Sequence, residues 1–310
     1  MSRRGDPDAG PQGLAVIDKP PGWTSHDVVA RARKVLGTRR VGHAGTLDPD
    51  ATGVLLLGVG RVTRLLRFVS ALPKTYVTEF LFGAETTTLD ASGEVTATHD
   101  MGALTTDQVV VTARQLTGEI LQVPPMVSAI HVGGRRLHEL ARAGIEVERE
   151  ARPVRVDRFD LEPLPASGLL GAGGASRRWR AVVTCSSGTY VRSLVADLGS
   201  LLGGGAHLVT LVRTAVGPYE LAQAVALDDL SPEVLLPPVE ALRWLPLVKV
   251  DEAVAADVRH GKVLPTEVVA PPGDADGGPW RVVGPDGSLL AVYDRHGPDR
   301  AKPEVVLVGS

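Results

Sequence analysis

The chain has 310 residues, which predicts about two domains and is long enough to bury a sizeable core. The single cysteine excludes an intrachain disulfide framework and a Cys-rich zinc site. The sequence contains no apolar run of roughly 18 residues, the length that would predict a membrane span. From the single cysteine and the lack of a long apolar segment we expect a soluble cytoplasmic protein. The net charge of −3 argues only weakly against nucleic acid as a partner, since a basic cleft can form on an acidic protein.

Hydrophobic periodicity predicts a mixture of strands and helices. The predicted strands lie at 14–17, 76–82, 179–185 and about 208–216, and the predicted helices at about 25–36, 62–69, 107–116 and 191–202. Thr24 or Ser25 can cap the first helix, and Asp27 lies in its first turn, where the helix dipole favours an anion. Because the elements follow no regular βαβ order, we predict the α+β fold class.

Two segments and the C-terminal region differ in composition from this core. A polar, Arg-rich stretch at about 124–153 predicts a short hairpin and helix that project from the core. Residues 166–176 are rich in Gly, Ala and Ser and predict a flexible surface loop. From 246 to 310, short apolar runs are separated by Gly, Pro and Asp, which suits a small β-barrel. We therefore predict one domain at 1–245 and a second at 246–310.

Basic residues occur in four clusters. They are Arg31, Arg33, Lys34, Arg39 and Arg40; Arg61, Arg64 and Arg67; Arg135, Arg136 and Arg142; and Arg177, Arg178 and Arg180. Such clusters supply phosphate contacts in RNA-binding proteins, and they are also ordinary solvated helix faces and loop tips. Composition alone leaves both interpretations open.

The segment from His43 to Gly53 concentrates small residues, a histidine and two acids in one loop. Glycines such as Gly45 permit unusual dihedral angles and close backbone approach. Pro49 stiffens the turn that would present Asp48. An ordinary turn, with the Asp48 side chain bonded to its own backbone, is the alternative interpretation.

Spacing excludes several ligands for this region. Asp48-x-Asp50-x-x-Gly53 resembles the start of a calcium-binding loop, but Val59 occupies the twelfth position, where a bidentate Glu is required. The sequence around Gly58 lacks the third glycine of a dinucleotide fingerprint, and the chain contains no GxxxxGK[ST] or HExxH motif. We therefore expect neither a metal nor a nucleotide cofactor.

Five motifs occur in order along the chain. They are Asp18–Ser25, Gly42–Pro49, Lys74–Tyr76, Cys185–Leu194 and Leu211–Thr214. In sequence and spacing they resemble the bacterial TruB family of tRNA pseudouridine-55 synthases. The resemblance implies a pseudouridine synthase fold, which has a mixed, mainly antiparallel sheet core with flanking helices, and a reaction without a cofactor.

The resemblance implies an enzyme that isomerises uridine 55 in the T loop of tRNA to pseudouridine after flipping the base into a pocket. Asp48 would be the catalytic carboxylate, whether it attacks the ring or C1′ or deprotonates the sugar. Arg192 would keep Asp48 ionised through a salt bridge, and Tyr76 would stack on the base. Without the family, Arg192 would be a structural arginine in a first helical turn and Tyr76 ordinary strand packing.

Further binding residues follow from the same resemblance. Tyr190 and Leu211 match positions that line the base pocket, Asp90 matches an acid in the arginine network, and His43 matches a histidine that contacts the RNA. The alternatives are core packing for Tyr190 and Leu211, a turn for Asp90, and a loop histidine without a role for His43.

Other matched positions concern support and RNA binding. Lys19 and Pro20, with Gly45, would support the catalytic loop. The insertion at 124–153 matches a segment that grips the RNA, but His131 and His138 stand where the family usually has lysine and tyrosine. The region 246–310 resembles an RNA-binding domain of the PUA type, and a plain capping domain is its competitor. We expect the T-arm of tRNA as partner and a monomeric protein.

Two other function classes are open to test. A non-catalytic RNA-binding protein on the same scaffold would lack Asp48 or Arg192, and both are present. A carboxylate-pair hydrolase would combine Asp48 with Asp50 or Asp90 and release free uracil. The isomerase is therefore the function favoured, with assistance of tRNA folding as an additional hypothesis.

Overall fold

The computed structural model describes residues 10–128, 131–132, 134–137, 140, 143–145, 147–165, 177–274 and 277–307. The predicted loop at 166–176 and His138 lie outside the described residues. In the part of the chain that is described, no helix combines the length and the hydropathy needed to cross a membrane.

The described residues form strands and helices with the following bounds. The strands are β1 (Gly13–Lys19), β2 (Val41–His43), β3 (Thr52–Val59), β4 (Lys74–Phe82), β5 (Ala84–Thr86), β6 (Val95–Thr98), β7 (Gly118–Gln122), β8 (His131–Val132), β9 (Arg135–Arg136), β10 (Arg152–Pro163), β11 (Arg178–Cys185), β12 (Ala206–Val216), β13 (Tyr219–Glu220), β14 (Val225–Ala226), β15 (Leu247–Lys249), β16 (Leu264–Pro265), β17 (Trp280–Val283), β18 (Leu289–Arg295) and β19 (Arg300–Val306). The α-helices are α1 (Ser25–Val35), α2 (Leu66–Ala71), α3 (Thr106–Ala113), α4 (Val191–Leu201), α5 (Glu252–Arg259) and α6 (Thr266–Val269). The four predicted strands are confirmed as β1, β4, β11 and β12, and the first and last predicted helices as α1 and α4.

Backbone contacts divide the chain into two compact units. The first combines the chain up to Ala71 with the chain from Val216 onward, and the second covers Leu72–Ala215. The domain boundary predicted between 245 and 246 stays a prediction.

The first unit contains a small sheet around β1. Strand β1 pairs antiparallel with β3 and parallel with β14, and β2 pairs antiparallel with the far end of β3. Helix α1 begins with a capping box, because the Thr24 side chain accepts from the Asp27 N–H and the Asp27 side chain accepts from the Thr24 N–H. Its residues Val28, Val29 and Ala32 are buried.

The first unit also contains the C-terminal sheet, whose strand order is β15-β17-β18-β19-β16. Strand β15 is parallel to β17, and the other pairs are antiparallel. The sheet has its own apolar core, which includes Trp280, Tyr293, Val258 and Val269. This arrangement accounts for the short apolar runs that predicted a small β domain.

The second predicted helix differs from the expectation of one α-helix at 62–69. A 3₁₀ helix covers Gly60–Leu65, and α2 continues from Leu66. Side chains three residues apart lie on one side of a 3₁₀ helix, and here Arg61 and Arg64 donate to the main-chain carbonyls of Leu307 and Val306. Arg67, in the first turn of α2, donates to the Glu304 carbonyl. These bonds to the end of β19 favour the tighter helix.

The third predicted helix is shorter than expected. Helix α3 begins after Thr105, whose side chain forms a capping box with Gln108, and ends at Ala113. The remaining turn to Leu116 is a 3₁₀ helix. The predicted hairpin in the insertion is confirmed as β8 and β9, whereas most of the predicted helix after it lies outside the described residues.

The second unit is built on the strand order β12-β4-β11-β10-β7. The pairs β4–β11, β10–β11 and β7–β10 are antiparallel. Phe80, Phe82 and Trp179 pack edge to face in its core, with adjacent ring centroids 5.2 and 6.1 Å apart. With helices α3 and α4 in the same unit, the predicted α+β class with a mixed, mainly antiparallel sheet is confirmed.

Candidate active site

The predicted site residues are divided between the two units. The first unit contains Lys19, Pro20, His43, Gly45 and Asp48, and the second contains Tyr76, Asp90, Tyr190, Arg192 and Leu211. The geometry is therefore given for each group separately.

The loop that carries Asp48 connects β2 to β3. Asp48 is half-buried and follows Leu47, which is buried. The Leu47 N–H donates to Ser25 Oγ at 2.9 Å, and the Ser25 hydroxyl is 3.3 Å from the Leu47 carbonyl oxygen. Gly45 has a φ of +91°, which an L side chain rarely adopts. The first turn of α1 thus fixes the residue before Asp48, and Gly45 is required by the backbone.

Lys19 holds the other side of this loop. Its side chain is fully buried, and Nζ donates to the carbonyls of Pro20 at 2.9 Å, Trp23 at 2.7 Å and Pro49 at 2.8 Å. The Gly22 N–H also donates to the Pro49 carbonyl, at 2.9 Å. A buried ammonium needs its donors satisfied, and here they join the end of β1 to the residue after Asp48.

His43 lies at the end of β2 and is half-buried. Its ring packs edge to face with the ring of His26 on α1, with the centroids 5.5 Å apart. The contact joins the end of β2 to the first turn of α1.

Arg192 is the second residue of α4 and is buried, with a side chain 4% exposed. Its Nη1 donates to the Thr88 carbonyl at 3.0 Å, and its Nη2 donates to the Val127 carbonyl at 2.8 Å. Nη1 also lies 3.7 Å from Asp90 Oδ2. The sequence-based expectation that Asp90 joins the arginine network agrees with this ion pair.

The turn that carries Asp90 is tightly bonded. Asp90 Oδ1 accepts from Thr88 Oγ1 at 2.6 Å, Ser92 Oγ at 2.6 Å and the Ser92 N–H at 3.1 Å. Leu89 adopts a φ of +63°, a strained value for a residue other than glycine. The bonds around Asp90 hold this conformation and leave its Oδ2 directed at the arginine.

Tyr76 and Leu211 lie on β4 and β12, which are adjacent strands. Tyr76 is 8% exposed and pairs with Val183 of β11, and Leu211 is half-buried. Neighbouring strands bring the two residues into one region of the second unit, although their sequence positions are far apart.

Tyr190 immediately precedes α4 and exchanges two hydrogen bonds with a residue that the sequence analysis did not single out. Its N–H donates to Gln122 Oε1 at 2.8 Å, and its carbonyl accepts from Gln122 Nε2 at 3.1 Å. Ser25 was considered only as a helix cap, and its bonds to Leu47 were also missed. No local sequence pattern identifies either contact.

Close to Tyr76, Lys74 is buried at the start of β4 and pairs with Cys185 of β11. Burial, with the nearby charge of buried Arg213, lowers the pKa of Lys74 to about 8. Burial raises the pKa of the Cys185 thiol to about 11. These two neighbours therefore both favour their neutral forms at alkaline pH.

Three of the four basic clusters have arginines that bond to the protein itself. Arg61, Arg64 and Arg67 bond to the end of β19, as described above. In the first cluster, Arg33 donates to the Val41 carbonyl and Arg31 pairs with Asp228. The last cluster forms surface ion pairs: Arg177 with Asp100, Arg178 with Glu79, and Arg180 with Glu162. Surface pairs of this kind contribute little stability, and a phosphate can compete for them.

Among the described residues, no group of three or more His, Cys, Asp or Glu side chains is arranged to hold a metal ion.

Family models match the chain over most of its length. The N-terminal domain of TruB family pseudouridylate synthases matches residues 33–191, the C-terminal domain of tRNA pseudouridylate synthase B matches 192–242, and the C-terminal domain of tRNA pseudouridine synthase II matches 245–308.

Curated relatives and solved structures agree with these matches. The chain is 44% identical to tRNA pseudouridine synthase B of Arthrobacter sp. (strain FB24), covering 96% of this chain and 97% of the relative. It is 45% identical to the protein of the same name from Thermobifida fusca (strain YX), covering 96% and 99%. A chain in a crystal structure of a Cbf5–Nop10–Gar1 complex matches with a TM-score of 0.70 and 25% identity, covering 96% of this chain and 85% of that one. The chain therefore belongs to the TruB family of pseudouridine synthases, which are isomerases.

Proposed function

We propose that the substrate is tRNA and that the enzyme converts uridine 55 of the T loop to pseudouridine, with Asp48 as the catalytic carboxylate. The observation that carries the proposal is the support of the Asp48 loop. Ser25 bonds the residue before Asp48, and the buried ammonium of Lys19 bonds the residue after it. A loop fixed on both sides presents its carboxylate in one position, as positioned catalysis requires.

The reaction exchanges one bond to the ribose for another. The C1′–N1 bond breaks, the base turns within the pocket, and a C1′–C5 bond forms. The hydrogen on C5 is lost to solvent as a proton, and N1 gains one. Atoms and electrons balance within the substrate and water, so the reaction needs no cofactor, oxidant or reductant.

Asp48 acts in its ionised form, and Arg192 is the cation that keeps it ionised. A guanidinium has five N–H donors in one plane, so it can bond carbonyls and carboxylates at the same time. The bonds from Arg192 to the Thr88 and Val127 carbonyls support this assignment, because they hold the guanidinium in a defined orientation. Asp90 contributes to the same orientation through its ion pair.

The remaining assigned residues bind the extruded nucleotide. Tyr76 stacks on the target base, which offsets part of the cost of unstacking it. Tyr190 and Leu211 line the base pocket, and His43 contacts the RNA next to the flipped nucleotide. The partner is the T-arm of tRNA, and the enzyme acts as a monomer in the cytoplasm.

The test is release of tritium from tRNA that carries ³H at uridine C5. Purified protein is incubated with unmodified tRNA without added metal or nucleotide, and tritium in water is counted. We expect release by the wild type and none by Asp48→Asn. Primer-extension mapping of the product locates pseudouridine at position 55.

Asp50→Asn is the matched control, because Asp50 is an exposed carboxylate in the same loop. We expect it to retain wild-type release. Equal loss in both variants would mean that the loop needs its charge and not a particular carboxylate. Free uracil in the chromatogram would identify a hydrolase and overturn the proposal.

A further inference from the structure

Gln122 makes an unusual pair of contacts at the end of β7. The side chain is 2% exposed, and its amide both accepts from and donates to the main chain of Tyr190, at 2.8 and 3.1 Å. The side-chain amide therefore pairs with the Tyr190 backbone as one strand pairs with another. Both its donor and its acceptor are needed for this arrangement.

The Tyr190 backbone is where α4 begins. Tyr190 occupies the position before the first helical residue, and its side chain makes no capping hydrogen bond. The Tyr190 carbonyl also accepts the first intrahelical bond, from the Leu194 N–H at 3.0 Å. Gln122, on a strand distant in sequence, thus bonds the main chain at the start of α4, as a capping side chain would.

Contacts of Arg192 and Ser193 reinforce the same connection. Ser193 Oγ donates to the Val123 carbonyl at 3.1 Å, and Arg192 Nη2 donates to the Val127 carbonyl at 2.8 Å. Tyr190, Arg192 and Ser193, at the start of α4, therefore all bond to the segment 122–127. That segment leads from β7 into the insertion.

We propose that Gln122 is a positioning residue for Arg192, which it sets in place by fixing the start of α4 through both groups of its amide. The inference rests on the proposed role of Arg192. It assigns Gln122 no contact with substrate. A buried glutamine that only fills space is the competing explanation, and the chemistry of the amide distinguishes the two.

The experiment uses Gln122→Glu and Gln122→Met in the full-length protein. An ionised Glu accepts the Tyr190 N–H but has no hydrogen for the Tyr190 carbonyl, whereas a protonated Glu supplies both groups. Burial raises the pKa of such a carboxyl, so the protonated form is reached at mildly acidic pH. We expect kcat of Gln122→Glu to fall by about tenfold relative to wild type at about pH 8.5, and to recover to within about twofold at about pH 6.

Gln122→Met keeps the length of the side chain and removes both bonds. We expect its kcat to fall by about tenfold at both pH values, with KM for tRNA unchanged. Gln108→Glu is the matched control, because Gln108 is exposed on α3 in the same unit and Glu serves equally well in its capping box. Its pH profile should follow that of the wild type.

Three results would overturn the inference while the wild type remains active. They are a constant ratio of Gln122→Glu to wild type across pH, wild-type kcat in Gln122→Met, or an effect confined to KM. Wild-type protein that releases no tritium in the same assay would instead overturn the proposed function. Thermal unfolding curves recorded at both pH values show whether each variant is folded during the measurement.

Discussion

Each of the two units contains one buried basic residue among its predicted site residues, and the sequence by itself gives no hint of what each one bonds. Lys19 of the first unit donates to three main-chain carbonyls, which belong to the end of β1, the following turn and the Asp48 loop. Arg192 of the second unit donates to two carbonyls and also faces the Asp90 carboxylate. Bonds to the carbonyls of three separate segments indicate a residue that fastens backbone. A planar guanidinium that faces a carboxylate as well is suited to organise charge.

We expect the largest effect of any variant from Arg192→Lys, and we expect it in kcat. The variant keeps the charge and loses the planar fork, so it cannot keep the orientation of the guanidinium. We expect kcat to fall by about 10³-fold, measured as single-turnover tritium release. Arg180→Lys, a change in an exposed ion pair of the same unit, should have kcat within about twofold of wild type. Activity of Arg192→Lys close to wild type would show that Arg192, like Lys19, mainly fastens backbone.

Lys19→Met should lower the stability of the protein more than it lowers the catalytic rate. The substitution removes three hydrogen bonds between a buried side chain and main-chain carbonyls, and we expect the free energy of unfolding to fall by about 3 kcal/mol in urea titrations. Lys34→Met on the exposed face of α1 should change it by less than about 0.5 kcal/mol. A Lys19→Met protein of normal stability but without activity would reverse the distinction between the two cations.

A smaller effect concerns a third buried cation, Lys74, and its neighbour Cys185. The pKa of Lys74 is lowered on folding, so the unfolded chain holds this proton more tightly and stability rises as pH increases from about 8 toward 10.5. The pKa of Cys185 is raised on folding, so the folded chain holds that proton more tightly and stability falls as pH increases from about 9 toward 11. The two slopes oppose each other in the wild type.

Removing either side chain should leave the pH dependence of stability that the other one causes. Between about pH 8.5 and 10, we expect the unfolding free energy of Lys74→Met to fall by about 1 kcal/mol and that of Cys185→Ala to rise by about 1.5 kcal/mol. Urea titrations at several pH values measure both. A flat curve for Cys185→Ala would mean that Lys74 stays charged in the folded protein over this pH range.

Local sequence patterns were sufficient for much of the fold. Alternation placed β4 and β11, and Thr24 with Asp27 marked the start of α1. The segment after Gly60 could not be assigned correctly, since its apolar spacing fits an α-helix. What selects the 3₁₀ form is a set of bonds such as Arg61 to the Leu307 carbonyl, 246 residues further along the chain.

The candidate site divides in the same way. Asp48, Arg192 and Tyr76 lie in family motifs, so the resemblance identifies them directly. Of the residues that hold them, Gln122 lies outside the motifs, and Ser25 closes the first motif but was expected only as a helix cap. Gln122 acts on a backbone 68 residues away, and Ser25 on one 22 residues away, and both do so through hydrogen bonds to main-chain atoms. Nearly every residue has these main-chain groups, so the residue type at the bonded position does not predict the contact.

The arginines that bond to β19 have a consequence for how the protein behaves at high concentration. Val306 and Glu304 are alternate residues, so their carbonyls point to the same side of the strand, and Arg64 and Arg67 occupy those acceptors. An unoccupied row of this kind is a template on which a strand from another molecule can add. Arg64 and Arg67 therefore disfavour the addition of a second molecule's strand to this part of β19, which lies beyond its short pairing with β16.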